Sequence, residues 1–130
     1  MGFAAFRDQK YLNLETFKKS GEGVKTPVWF AADPNADLAT NEARLFVYTI
    51  GNTGKVKRIR NNGRVRIAPC TARGRVLGEW AEAHAEIVSE EEAKRGTALL
   101  NKKYFPWKQV LGIFAAFSRR ERVVMVITPV

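Results

Sequence analysis

Acidic residues are missing from the middle of this chain: none occurs between residues 43 and 78. Cysteine and histidine are nearly missing too, with only Cys70 and His84 in 130 residues. A lone cysteine excludes an internal disulfide, and one of each leaves too few ligands for a zinc or other transition-metal site. Long hydrophobic runs are also lacking. The most apolar stretches, residues 110–117 and 123–127, fall far short of the roughly 20 residues a membrane-spanning helix needs. Arg7 and Asp8 interrupt the apolar start too early for a signal peptide. These absences give the expectation of a soluble, cytoplasmic protein without a metal site or membrane span.

What fills the acid-free stretch is positive charge: Arg44, Lys55, Lys57, Arg58, Arg60, Arg64, Arg66, Arg73 and Arg75. The chain has 22 Lys and Arg against 13 Asp and Glu, so these nine make up the whole excess and the remainder is neutral. Charge confined in this way points to a site for an anion rather than to general solubility. A nucleic acid, a membrane surface and a phosphorylated small molecule are the candidates.

Apolar content of 45% is that of a globular chain, and 130 residues are expected to make one domain, 1–130. Residues 11–17 alternate, with Leu12, Leu14 and Thr16 on one face, which predicts a strand. After the turn at Ser20 and Gly21 a returning strand is expected over 25–31, with Pro27 at an edge or bulge because it cannot donate to a ladder. A third strand is predicted over 44–50, followed by a short helix from Lys55 with Thr53 as N-cap. In that helix Val56 and Ile59 would face the core. Lys55 and Arg58 would flank that face on one side, Lys57 and Arg60 on the other. Further strands are expected over 64–70 and 76–88. Ser89 and Glu92 form a capping box for a helix to about Lys103. A second, very apolar helix (Trp107, Val110, Leu111, Phe114, Phe117) and a terminal strand over 123–127 complete the pattern. Strands at this spacing in a small chain favour a barrel.

The unit that carries chemistry is residues 49–60: strand end, glycine-bearing loop, short basic helix. Loop amides and a helix start offer donors to a phosphate, hydroxyls of Thr49 and Thr53 can add to them, and Lys55 and Arg58 supply charge. The spacing matches neither the Walker A nor the dinucleotide glycine pattern. A nucleic-acid platform would need more exposed aromatics than Phe46 and Tyr48. The bland reading is a solvated basic helix.

The chain resembles the pyridoxamine 5′-phosphate oxidase-like superfamily of split β-barrels, in particular the proteins classed as probable deazaflavin (coenzyme F-420) dependent enzymes. The resemblance runs through residues 10–17, 25–30, 54–60, 64–70, 78–80 and 122–129. Its most specific parts are Thr26-Pro27-Val28-Trp29 and Gly54-Lys55-Val56-Lys57-Arg58. Gly63 departs from it, standing where relatives often carry proline.

The resemblance implies a mainly β fold with short helices, an FMN-binding-like split barrel. It further implies a homodimer with flavin-type cofactors at the subunit interface. Lys55, with Lys57 and Arg58, matches the phosphate-binding motif, Thr49 matches a position that helps hold the phosphate, and Thr26, Pro27, Val28 and Trp29 match the strand beside the ring. No catalytic acid or base carries over. The implied activity is hydride transfer between coenzyme F-420, or FMN, and a small organic substrate. Lys57, Arg60, Arg64 and Arg66 would form a track suited to the polyglutamate tail of F-420. Two alternatives stand beside this reading: a non-enzymatic flavin, deazaflavin or haem carrier, and a basic barrel binding single-stranded nucleic acid.

Overall fold

The computed structural model describes residues 2–50, 54–104 and 122–130. Alternation of apolar and polar residues builds strands β1 (Tyr11–Phe17), β2 (Gly23–Trp29), β3 (Ala31–Ala32), β4 (Leu45–Ile50), β5 (Arg64–Cys70), β6 (Ala81–Ile87) and β7 (Arg122–Pro129). Helix α1 (Gly54–Asn61) joins β4 to β5, and α2 (Glu90–Tyr104) follows β6. The strands form one antiparallel sheet in the order β2-β1-β5-β6-β7-β4-β3.

The two ends of that order are consecutive in the chain. β2 pairs with β1, the chain breaks at Phe30, and β3 pairs with β4. One bent run therefore joins both ends and curls the sheet into a split barrel. Pro27 sits on β2, a terminal strand of the order, as its missing N–H requires. Leu12, Leu14, Val47, Ile67, Met125 and Ile127 from four strands pack inside with almost no exposure.

The outer face of β4 and β7 is covered by α2, where Phe46, Val124 and Val126 meet Ala93 and Leu99. Close approach depends on Gly96: a Cβ there would lie 2.8 Å from Phe46 Cδ1. The aromatics of the basic segment are thus committed to packing, Phe46 fully buried and Tyr48 partly so. Ser89 Oγ accepts the Glu92 N–H at 3.5 Å, while the Glu92 carboxylate turns to Arg44. Tyr104, in the last turn of α2, stacks on Trp29 with ring centroids 4.5 Å apart. Its hydroxyl accepts the Phe30 N–H at 3.0 Å and donates its proton to the Lys10 carbonyl, with the Phe30 carbonyl also within reach, pinning the β2–β3 break. No described helix is long and apolar enough to cross a membrane.

The expected strand over 76–88 is shorter in the structure. Val76 makes a single bridge to Cys70, Leu77 N–H reaches the Pro69 carbonyl at 2.8 Å, and regular pairing starts at Ala81. Pro69 offers this edge of β5 a carbonyl but no N–H, so regular pairing with β6 is interrupted there. The loop 51–53 with the proposed Thr53 cap, and the apolar helix at 107–117, lie outside the described residues.

Candidate functional site

Helix α1 packs on the barrel end near β1 and β6 because Val56 and Ile59 are buried there. Burying two such side chains contributes on the order of 2 kcal/mol each as an upper estimate. This anchoring fixes the charges. Lys55 and Arg58 come out half-buried against the barrel, while Lys57 and Arg60 are exposed.

Arg58 folds back. Its Nε donates to Thr16 Oγ1 at 2.6 Å, and a Cβ on Gly54 would lie 2.8 Å from one Nη. The guanidinium therefore lies in the space beside Gly54 where a side chain would otherwise project. Thr16 is buried on the inward face of β1, at the strand end that meets α1. Lys55 stands beside this group. Burial, and then the positive charge of Arg58, push its amine below the ordinary lysine value. No carboxylate among the described residues pairs with either cation. Two like charges in one partly desolvated corner, with a hydroxyl and a side-chain-free glycine, suit a phosphate.

Thr49 is buried at the end of β4 that leads to α1, on the same strand face as Leu45 and Val47. The four residues of β2 divide by face. Thr26 and Val28 stand opposite Leu14 and Leu12, so they point inward, with Val28 in the core and Thr26 half-buried. Pro27 and Trp29 point outward, Pro27 exposed near Gly74 and Trp29 against Tyr104. Val28 thus offers a surface groove only its backbone, and one face of Trp29 is already taken.

Other basic residues meet acids from outside their segment. Arg64 and Arg66 bond Glu82 at 3.1 and 3.3 Å, and Arg66 bonds Glu15 at 3.0 Å. This row runs straight across the sheet, Lys25 opposite Glu15, Glu15 opposite Arg66, Arg66 opposite Glu82. Trp80 lies between Lys25 and Arg66, each 5.2 Å from its ring centroid. The anticipated tail track therefore loses Arg64 and Arg66, and Lys57 and Arg60 remain. His84 is exposed over Gly63, and Cys70 is buried with its thiol pKa pushed up, which suits packing rather than nucleophilic attack. Sequence reasoning missed Thr16 as a site residue. Its one signal was a hydroxyl closing an otherwise leucine-lined strand face.

No family model and no curated protein matches the sequence. Solved structures do match in fold. The haem storage protein HutZ from Vibrio cholerae superposes with a TM-score of 0.68 at 12% identity, over 100% of this chain and 92% of that one. A proposed pyridoxamine 5′-phosphate oxidase from Listeria innocua gives 0.64 at 14% identity, over 97% and 88%. An F-420 reductase gives 0.60 at 16% identity, over 100% and 94%. The chain has the split β-barrel fold of the pyridoxamine 5′-phosphate oxidase-like proteins.

Proposed function

We propose that this protein is an oxidoreductase that binds a flavin-type cofactor by its phosphate, coenzyme F-420 in preference to FMN, and works as a homodimer with the cofactor at the subunit interface. The observation that carries the reading is the pair of cations Lys55 and Arg58, which meet no carboxylate among the described residues and are held together over Gly54 and Thr16. Lys55 and Arg58 hold the phosphate, with Thr49 and Thr16 fixing the surrounding hydroxyl positions. Lys57 and Arg60, exposed on the same helix, extend positive charge toward an anionic tail, which favours F-420. The strand Thr26, Pro27, Val28 and Trp29 lies beside the ring through its backbone and outward side chains. When bound, the ring supplies hydride transfer, and the protein supplies orientation and exclusion of water.

Fluorescence titration tests this. F-420 is expected to bind in the micromolar range or tighter, and Lys55→Ala to weaken it about tenfold or more, the worth of one charged contact. Equal affinity in the variant removes the phosphate assignment. Light scattering with and without cofactor tests the dimer. A carrier that binds without turnover would use the same phosphate corner. Turnover assays with reduced F-420 and candidate acceptors separate the two.

A further inference from the structure

The far end of the barrel holds a second constellation that the phosphate corner does not use. The two are separated by the length of β1, about 17 Å from Tyr11 to Thr16 at the usual strand rise. A cavity of about 390 Å³ opens there between the 3-10 turn Ala4–Phe6, the loop after β3 and the end of α2. Its floor is apolar, with the buried rings of Phe6 and Phe30 edge-to-face at 6.0 Å and Leu38 beside them. Its rim carries Arg7, Asp8, Asp37 and Lys103.

Lys103 is the unusual member. It is exposed as a residue, yet its Nζ turns in, 3.5 Å from the Phe30 ring centroid, and donates to the Phe30 carbonyl at 2.8 Å. No carboxylate among the described residues forms a salt bridge with it. Asp33, also on the cavity wall, is committed to Arg44 and Arg95, and Asp37 accepts the Ala39 N–H at 2.9 Å. Asp8, in a left-handed turn at φ 62°, is the acid whose field reaches the amine.

We propose that Lys103 is a nucleophilic amine that takes up small aldehydes with an apolar or aromatic body as imines in this cavity. The Phe30 carbonyl holds one N–H and so orients the nitrogen lone pair, while the floor receives the apolar body. The lone pair attacks the carbonyl carbon, a C–N bond forms and the carbonyl oxygen takes a proton. The carbinolamine then loses water, so amine and aldehyde become imine and water with no change of oxidation state. The amine is ready for this near neutral pH. Burial, opposed by the Asp8 carboxylate, brings its pKa down to about 8. Roughly a quarter is then uncharged at pH 7.5, against about a thousandth for an ordinary lysine.

Lys102, its exposed neighbour on α2, provides the internal reference. The wild-type protein is treated with benzaldehyde and cyanoborohydride at pH 7.5, and the benzylated lysines are mapped by peptide mass spectrometry. Lys103 should label at least about tenfold faster than Lys102, allowing for the weaker nucleophilicity of a less basic amine. Ala36→Phe narrows the cavity. It should slow benzaldehyde labelling at Lys103 while leaving reductive methylation by formaldehyde fast. Equal rates at Lys102 and Lys103 in the wild type would overturn the proposal, as would benzaldehyde labelling that Ala36→Phe leaves unchanged.

Discussion

Arg44 and Arg58 come from the same acid-free stretch and meet opposite surroundings. Arg44 reaches Asp33 at 3.2 Å and Glu92 at 3.3 Å, in a network that also takes in Arg95. Arg58 reaches a threonine and a second cation. Both arginines are held by the fold, but among the described residues only the first meets carboxylates. Local charge excess along a chain is therefore a poor map of charge in space. Folding brings carboxylates to Arg44, Arg64 and Arg66 and leaves Lys55 and Arg58 as the residue of the excess that sits partly buried. A structural network and a ligand site respond differently to the same kind of substitution, and this contrast is what experiments can break.

The largest effect is expected on the paired side. Asp33 has a side chain only 3% exposed, between arginines about a third exposed. Asp33→Ala leaves both arginines to share the Glu92 carboxylate and should cost about 2–3 kcal/mol in urea unfolding, below the range for fully buried pairs because Glu92 remains and water reaches the arginines. The effect carries a pH signature. Arg95 above all, with help from the Asn35 N–H and Arg44, holds the Asp33 carboxyl below its ordinary value against the opposing push of burial. Its stabilisation is therefore complete above about pH 4 and is lost as pH falls through the lowered folded value. In Asp33→Asn that part of the acid destabilisation should vanish.

Next comes the α2 seam. Gly96→Leu drives a side chain into Phe46 and Val124 and should cost about 2 kcal/mol or more by chemical denaturation, since neither neighbour is a flexible chain end. A smaller loss, about 1 kcal/mol, is expected for Tyr104→Phe, which leaves the buried Phe30 N–H without its acceptor. The smallest stability effect belongs to the unpaired side. Lys55→Met removes a desolvated charge beside another cation and should leave stability within about 0.5 kcal/mol of wild type, or raise it. A large loss there would mean that the corner is structural, and the contrast would fail.

Much of the fold was legible because alternation is a strong signal. β1 and β5 begin and end where the pattern of Leu12, Leu14, Val65 and Ile67 places them, and α1 buries Val56 and Ile59 as their spacing requires. The break at Phe30 was not legible. It arises because one run must change partner from β1 to β4, a tertiary demand with no local sequence mark. The shortened β6 was half-legible, through Pro69 and Gly78, whose Cβ would crowd the Pro69 ring at 3.0 Å. At the site, helical spacing put Lys55 and Arg58 on one flank of α1 and Lys57 and Arg60 on the other, but which flank the barrel half-buries was not legible. Nor were the partners. Thr16 lies 42 residues from Arg58, and Glu15 lies 51 from Arg66. Only the barrel brings them together, which is also why the broad basic track narrowed.

The most direct test is a paired titration of F-420 and FMN into wild-type protein and Lys55→Ala, followed by fluorescence at fixed ionic strength. Wild-type protein should bind F-420 more tightly than FMN, and the variant should lose about tenfold or more toward F-420 with its unfolding curve unchanged. Unaltered F-420 affinity in a folded Lys55→Ala protein would contradict the assignment of this corner to the cofactor phosphate.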